Sequence, residues 1–193
     1  MINIKNYING KLSDPLDQQF INVWNPSNGK KFARCPNSNR KDLELAIQSA
    51  QNVFPYWSGL NQNQRSDYLL SIANEIKTNI EGFADAESRD NGKPLTLSKT
   101  LDIPRSIKNL EFFANFAKDY KSETFYQNDI VSHIIKQPLG IVGTISPWNL
   151  PLYLFTWKIA PALVTGNCVI AKPSELTPYT AYLLSKVLSL IHI

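Results

Sequence analysis

The sequence is poor in the side chains that bind transition metals. Its 193 residues include two cysteines, Cys35 and Cys168, and two histidines, His133 and His192. These four side chains do not occur at the spacings of metal ligands, so the sequence predicts no metal site. The amino-terminal segment MINIKNYINGKL has no apolar stretch typical of a secretory signal. We therefore expect a reducing, cytoplasmic location.

Clusters of like charge are also missing. The 20 basic and 16 acidic residues give a net charge of +4 and are scattered along the chain. A nucleic-acid interface needs cations gathered on one face, so no nucleic-acid partner is expected.

One uncharged segment, Gln137 to Trp157, has about the length of a membrane-spanning helix. Pro138, Pro147 and Pro151 would each remove a backbone donor from such a helix, and Asn149 would lie near the centre of the bilayer. We therefore expect no membrane insertion. The segment is better explained as a strand, a turn and a helix.

What the sequence does contain is enough apolar surface for a core, since 43% of its residues are hydrophobic. The first 36 residues predict short strands, with an Asn-Gly hairpin turn in YINGKL and a second turn at Pro26 to Gly29. An amphipathic helix should follow, capped by Asn37 or Ser38, and Pro55 should end it.

Two longer helical segments are predicted next. The first carries apolar positions from Leu69 to Ile80 and continues to a stop signal at Gly92 and Pro94. The second spans about Leu95 to Tyr120, and Pro104 inside it should cause a kink or a break near Asp102.

The second half of the chain changes its period. DIVSHIIKQP alternates like an exposed strand, and then LGIVGTISP and NCVIAKP indicate buried strands, each followed by a predicted helix. This strand-helix-strand-helix order predicts an α/β fold with a parallel sheet. Ligands of such sheets bind beyond the carboxyl ends of the strands, which here are the segments SPWN and AKPSE.

Asn149 follows the first of these strands, in a turn between Pro147 and Pro151. It could cap the helix that begins near Pro151. Alternatively, its side-chain amide could donate a hydrogen bond to an oxyanion. The local sequence is compatible with both roles.

Lys172 and Glu175 follow the second strand, three residues apart. An ordinary surface turn would have the same pattern. A lysine and a glutamate there would also suit the two hydroxyls of a ribose, and the carboxylate would favour NAD over NADP. The glycine fingerprint G-x-G-x-x-G is absent, and GIVG is too short to replace it.

Three further predictions concern substrate contacts and packing. Arg105 could pair with Asp102, or its planar guanidinium could bind a substrate carboxylate. Leu150, Leu154 and Trp157 share one helical face, which could pack in the core or line a substrate passage. Cys168 lies in an apolar strand and is expected to be a core residue.

These residues resemble the NAD-dependent aldehyde dehydrogenase family, through the motif ISPWNLPL followed by WKIAPAL, GN, VIAKPSE and TP. The resemblance extends upstream to YINGKL, NPSNGK and FPYWS, and so covers essentially the whole chain. It implies an incomplete Rossmann-like parallel sheet with amino-terminal helices. Residues 1–122 would form the first part of the NAD-binding domain, 123–138 oligomerisation strands, and 139–193 the start of the Rossmann-like core.

The resemblance also implies roles for single residues. Asn149 would hold the oxyanion of a thiohemiacetal, and Lys172 and Glu175 the adenosine ribose of NAD. The strand end that runs beside the cofactor would consist of Ser146, Pro147 and Trp148. Arg105 matches an arginine of those members whose aldehyde substrate carries a carboxylate. A homo-oligomer is implied as well.

In this family a cysteine thiolate attacks the aldehyde and a glutamate activates the water that hydrolyses the thioester. Both family positions lie beyond position 193. We therefore expect the chain to be the amino-terminal portion of a longer enzyme. The alternative is a short, noncatalytic product that serves as an interaction fragment.

Overall fold

The computed structural model describes residues 1–190, so the closing segment IHI, with His192, lies outside the described residues. The amino-terminal strands are β1 (Ile2–Asn3), β2 (Asn6–Ile8), β3 (Lys11–Ser13), β4 (Phe20–Asn25) and β5 (Lys30–Pro36). The helices that follow are α1 (Arg40–Gly59), α2 (Gln62–Thr78), α3 (Ile80–Asn91), α4 (Leu95–Leu97) and α5 (Ile103–Asp119). The remaining elements are β6 (Thr124–Gln127), β7 (Ile130–His133), β8 (Ile141–Ile145), α6 (Pro151–Val164), β9 (Cys168–Lys172) and α7 (Tyr179–Leu190).

Both predicted hairpins are confirmed. β2 and β3 pair antiparallel across Asn9 and Gly10, whose φ angles of 53° and 70° suit a tight two-residue turn. β4 and β5 also pair antiparallel across the turn from Pro26 to Gly29, and β1 adds to β5 in parallel. These strands enclose a small buried cluster of Ile4, Val23, Ala33 and Cys35, against which Tyr179 and Tyr182 of α7 pack.

Helix α1 differs from the prediction at both ends. Its cap is Asn39, not Asn37 or Ser38, because the Asn39 side chain accepts the backbone N–H groups of Lys41 and Asp42.

Pro55 does not end α1, which continues to Gly59. The Trp57 indole N–H donates to the carbonyl of Leu163 at 3.1 Å. This contact anchors the last turn to α6 and offsets the backbone bond that the proline removes.

The segment around Pro104 stays helical instead of breaking. Ser98–Asp102 forms a π turn between α4 and α5, and the N–H of Ile103 donates to the carbonyl of Ser98. Pro104 then falls in the first turn of α5, where its missing donor costs little. The predicted helical segment from Leu69 to Gly92 is divided into two helices at Asn79, where α2 ends and α3 begins.

The amino-terminal helices and the later α/β segment share one apolar core. Its fully buried members come from α2, α3, α5, α6 and α7 and include Leu69, Ile72, Ile76, Ala84, Leu110, Leu152 and Leu184. Because α6 contributes to the same core as α2 and α5, the helical layer fixes the position of the strand-turn-helix segment that carries Asn149.

Strands β8 and β9 pair in parallel, as predicted, but they are less buried than expected. The side chain of Ile145 at the end of β8 is 72% exposed. Within residues 1–190 the two strands pair only with each other, so their outer edges lack the neighbours that would bury them. β6 and β7 form a separate antiparallel hairpin that is exposed along its whole length.

Gly92 ends α3 in a left-handed conformation, with φ of 82°. A Cβ atom there would lie 2.8 Å from Cγ of Pro26, so the site is both strained and closely packed for any other residue.

We expect Gly92→Ala to lower the free energy of unfolding by about 2 kcal/mol, measured by urea denaturation. Gly82→Ala is the matched control, because Gly82 lies inside α3 with open space around it. It should stabilise the protein by up to about 1 kcal/mol. Equal effects would contradict this assignment.

Candidate active site

The two segments predicted to carry chemistry meet at one edge of the β8–β9 pair. The register places Ile145 opposite Lys172, so the residues that follow both strands lie side by side. The N–H of Ser146 donates to the carbonyl of Lys172 at 3.0 Å and prolongs the pairing by one residue. This edge is the carboxyl end of both strands, where parallel sheets bind ligands.

Ser146 and Trp148 present different surfaces at this edge. The Ser146 side chain is only 3% exposed, and its hydroxyl has no hydrogen-bond partner within the described chain. Pro147 is exposed, and the Trp148 side chain is 55% exposed. A planar ligand could pack on the exposed ring of Trp148. The Ser146 hydroxyl beside it has hydrogen-bonding capacity that the described chain does not use.

Lys172 and Glu175 form an ion pair with 2.6 Å between Nζ and Oε2. The hydrogen bond from Lys172 lowers the pKa of the Glu175 carboxyl. Both side chains are about half exposed, beside a turn in which the N–H of Leu176 donates to the hydroxyl of Ser174. The pair offers a donor and an acceptor, which is what two adjacent ribose hydroxyls require.

Asn149 does not cap α6, so the capping interpretation is wrong. The cap position is Leu150, and Pro151 begins the helix. The N–H of Leu152, which a capping side chain would satisfy, donates instead to Glu87 of α3 at 3.4 Å. The Asn149 side chain is exposed, and no group among residues 1–190 bonds to it. Its amide is therefore available to a ligand.

Arg105 lies in the first turn of α5 and does not pair with Asp102. Asp102 is buried and pairs with Lys93 at 2.9 Å. The Arg105 guanidinium lies over the Tyr153 ring, 4.1 Å from its centroid, and the edge of that ring meets Trp157. A cation held against an aromatic face keeps its N–H groups free along its rim.

Leu150, Leu154 and Trp157 are not core residues. All three are partly or largely exposed, and the Trp157 side chain is 48% exposed. The buried residues of α6 include Leu152, Phe155, Ile159 and Ala160, and Tyr153 is also buried, at 8% exposure. The exposed face therefore carries the aromatic ring of Trp157 close to Tyr153 and the Arg105 cation, which suits contact with an anionic organic molecule.

Two polar residues of α3, Glu87 and Asp90, were not among those predicted from the sequence. Both are buried, and each accepts a backbone N–H from the first turn of a helix, Leu152 of α6 and Tyr179 of α7. Their spacing from the apolar Phe83, at i+4 and i+7, could have indicated that they share its buried face.

The surroundings of the two cysteines disfavour the thiolate form that attacks an aldehyde. Both thiols are buried, and burial raises the pKa of each. For Cys35, burial together with the neighbouring Asp90 raises the pKa to about 11. The prediction that Cys168 is a core residue is confirmed.

The rest of the described chain offers little other chemistry. Across residues 1–190, no group of three His, Cys, Asp or Glu side chains is placed to hold a metal ion. No helix in this part of the chain is long and apolar enough to cross a membrane.

The chain is therefore an α/β protein whose candidate ligand-binding edge lies at the carboxyl ends of two parallel strands. The chain belongs to the aldehyde dehydrogenase family, whose sequence profile matches residues 13–192. The predicted fold class and family are thereby confirmed.

Several members of the family cover nearly all of this chain. The 2-aminomuconic semialdehyde dehydrogenase of Homo sapiens is 43% identical over 190 residues, which are 97% of this chain and 39% of that protein. The protein of the same name from Danio rerio is 40% identical and is matched over 38% of its length. Alignment with the crystal structure of PnpE in complex with nicotinamide adenine dinucleotide gives a TM-score of 0.95 at 31% identity, covering 100% of this chain and 40% of that chain. The chain thus spans about two fifths of the length of these relatives.

Burial in an apolar interior raises the pKa of Glu87 to about 7 and that of Asp90 to about 8, even though each accepts a backbone hydrogen bond. Folding therefore raises the proton affinity of both groups. Their contribution to stability is fully present below about pH 4 and is lost as the pH rises through 7 and 8.

We expect Glu87→Gln and Asp90→Asn, which keep an acceptor oxygen, to have little effect near pH 4. Near pH 8 each should raise the free energy of unfolding by roughly 2 kcal/mol relative to the wild type. Denaturant melts across this range measure the difference. A difference that does not change with pH would contradict the assignment.

Proposed function

We propose that the chain forms the amino-terminal part of an NAD-dependent dehydrogenase that oxidises an aldehyde to its carboxylate. The aldehyde we favour is 2-aminomuconate 6-semialdehyde, an intermediate of tryptophan (kynurenine) catabolism. The observation that carries the proposal is the free amide of Asn149 at the carboxyl end of β8. Support for the substrate comes from Arg105 and from the names of the relatives with 40% identity or more.

Asn149 would donate its side-chain amide to the oxygen that becomes negatively charged when a nucleophile adds to the aldehyde. A donor fixed before the reaction stabilises that charge without further reorganisation. The turn between Pro147 and Pro151 limits the backbone freedom of this residue, and its side chain has no competing partner in the described chain.

The cofactor fits the edge beside this residue. When bound, NAD would accept the hydride of the aldehyde. Ser146, Pro147 and Trp148 would contact it along the strand end, where the buried Ser146 hydroxyl has an unused hydrogen-bonding capacity among residues 1–190. Lys172 and Glu175 would hold the adenosine ribose, the ammonium donating and the carboxylate accepting.

The substrate would lie against the exposed face of α6. Leu150, Leu154 and Trp157 would contact its carbon chain, and Arg105 would bind its carboxylate through paired N–H groups. The Tyr153 ring supports the guanidinium from one side and so restricts its orientation.

The nucleophile and the general base would come from outside this chain. Both thiols within it are buried and have a raised pKa. The coverage of two fifths of each relative leaves room for both groups elsewhere in a longer enzyme.

We further propose that residues 123–138 pair with a second copy of the protein. The hairpin of β6 and β7 stands exposed, and apolar side chains such as Phe125, Ile130 and Val131 are more than half exposed. An exposed strand pair of this kind is suited to pairing with another chain.

Residues 1–122 and 139–193 would belong to one NAD-binding domain. The cytoplasmic location stays a prediction.

The 193-residue chain alone should show no aldehyde-dependent formation of NADH. A chimera that joins residues 1–193 to the remaining part of the human relative should restore it, because that part would supply the nucleophile and the base. NADH absorbance measures both reactions. Turnover by the chain alone that disappears in Cys35→Ala or Cys168→Ala would overturn the assignment of these thiols. An inactive but folded chimera would favour the noncatalytic alternative.

In the chimera, Arg105→Ala should lower kcat/KM for a carboxylate-bearing aldehyde, because the substrate charge loses its partner. The loss should correspond to about 2 to 4 kcal/mol of transition-state stabilisation. Arg105→Lys should recover only part of this loss, since an ammonium lacks the planar fork. A neutral aldehyde of similar size should respond little to either change.

Asn149→Ala serves as the comparison. It should raise the activation free energy for oxidation of both aldehydes by about 3 kcal/mol, because the oxyanion forms whatever other groups the substrate carries. Equal losses for the charged and the neutral aldehyde in the Arg105 variants would refute the carboxylate contact.

A further inference from the structure

Helix α3 reaches the turn that carries Asn149 at two points. The side-chain amide of Asn91 donates to the carbonyl of Trp148 at 3.0 Å, just before Asn149. The carboxylate of Glu87 accepts the N–H of Leu152 at 3.4 Å, three residues after Asn149. Both ends of the segment 148–152 are therefore tied to one helix that is distant in sequence.

Asn149 depends on this backbone because its own side chain makes no bond to any group in the described part of the chain. The Thr177 hydroxyl adds a longer contact of 3.4 Å to the carbonyl of Trp148. The position of the Asn149 amide is thus set by the path of the backbone from 148 to 152, and α3 supplies a contact at each end of it.

The contact of Glu87 is unusual for a carboxylate. Its side chain is 0% exposed, and its second oxygen, Oε1, makes no hydrogen bond of good geometry within residues 1–190, although the nearby Thr180 hydroxyl lowers the pKa of the carboxyl. Burying such a group opposes folding, so its retention in the core calls for a specific use. The first turn of α6, with its unsatisfied N–H groups and positive dipole end, is a favourable place for a carboxylate oxygen.

Helix α3 is itself held firmly. Asp90 accepts the N–H of Tyr179 at 2.6 Å, which connects α3 to the first turn of α7. At its end, the left-handed Gly92 packs against Pro26 with no space for a side chain. These contacts make α3 a fixed support for the turn.

We propose that Asn91 and Glu87 are positioning residues that hold the backbone of residues 148–152, so that the Asn149 amide points at the developing oxyanion. The catalytic part of this inference rests on the proposed function. The hold on the backbone does not depend on it and can be measured separately.

The direct test is amide hydrogen exchange at Asn149, Leu150 and Leu152, followed in the 193-residue chain and in the chimera; Pro151 has no amide hydrogen. Asn91→Asp keeps the size of the side chain but removes the donor. It should speed exchange about fivefold, the factor expected for one lost hydrogen bond. Asn79→Asp is the matched control, since Asn79 also donates its amide to a backbone carbonyl, that of Glu75 at 2.9 Å, away from the turn. It should leave exchange at the amides of Asn149, Leu150 and Leu152 unchanged.

Glu87 allows a second comparison. Glu87→Gln keeps an acceptor for the N–H of Leu152 and should preserve slow exchange there. Glu87→Met has a similar volume without an acceptor, so it should speed exchange at Leu152 about fivefold. Near pH 8 the same change should not lower the global unfolding midpoint, because it also removes a buried acid. A general loss of stability would instead speed exchange at Leu152 and lower the unfolding midpoint together. That result would overturn the positioning role of Glu87.

The link to catalysis is tested by a double-mutant cycle in the chimera. Asn91→Asp should lower kcat by about fivefold and leave KM for the aldehyde nearly unchanged. Combined with Asn149→Ala it should cost almost nothing further, because there is no longer an amide to position.

The outcomes separate the two proposals. Unchanged exchange in Asn91→Asp and Glu87→Met overturns the positioning inference. Additive effects in the cycle overturn its link to Asn149. An inactive chimera whose variants still exchange faster counts against the proposed function and supports the hold on the backbone.

Discussion

Two buried carboxylates on α3 organise the way the helical layer meets the α/β segment. Glu87 and Asp90 accept backbone N–H groups from the first turns of α6 and α7, so one helix fixes the start of two others. The cost of burying these acids appears in their raised pKa values. That cost is offset where the amino end of a helix presents donors that would otherwise be unsatisfied in the core. The turn that carries Asn149 lies directly before one of these contacts, and its geometry depends on them.

The same arrangement explains how a small parallel pair can carry a defined site. β8 and β9 alone are short and partly exposed, and a two-stranded sheet has little stability of its own. Their connecting helix α6, however, is buried against α2 and α5 through Leu152, Phe155 and Ile159. The site therefore takes its rigidity from helices that precede it in the sequence, α2 at Gln62–Thr78 and α5 at Ile103–Asp119. One side of α6 packs in the core, and its exposed side carries Trp157, whose ring contacts the buried Tyr153 under the Arg105 guanidinium.

Several features could be predicted from local sequence because their physical cause is local. The Asn-Gly turn requires positive φ angles at both of its residues, and Gly92 supplies the left-handed end of α3. The order of strands and helices after residue 139 follows from hydrophobic period, and that order is enough to place Ser146 and Lys172 at one edge of a parallel sheet. Pro55 misled the prediction because a tertiary contact accommodates it within α1, whereas near Pro104 the regular α-helix is interrupted by a π turn that ends at Asp102.

The family, the α/β order and the residues that follow the two strands could be predicted from the sequence alone, since they depend on motifs and on hydrophobic period. The contacts of those residues depend on the tertiary structure. Asn149 leaves α6 uncapped because Glu87, 65 positions away from Leu152, bonds to the donor that a cap would use. Arg105 lies on Tyr153 because Lys93 takes Asp102 as its partner. Such contacts depend on which groups compete for the same partner in three dimensions. The local sequence does not show which residues from distant segments will compete.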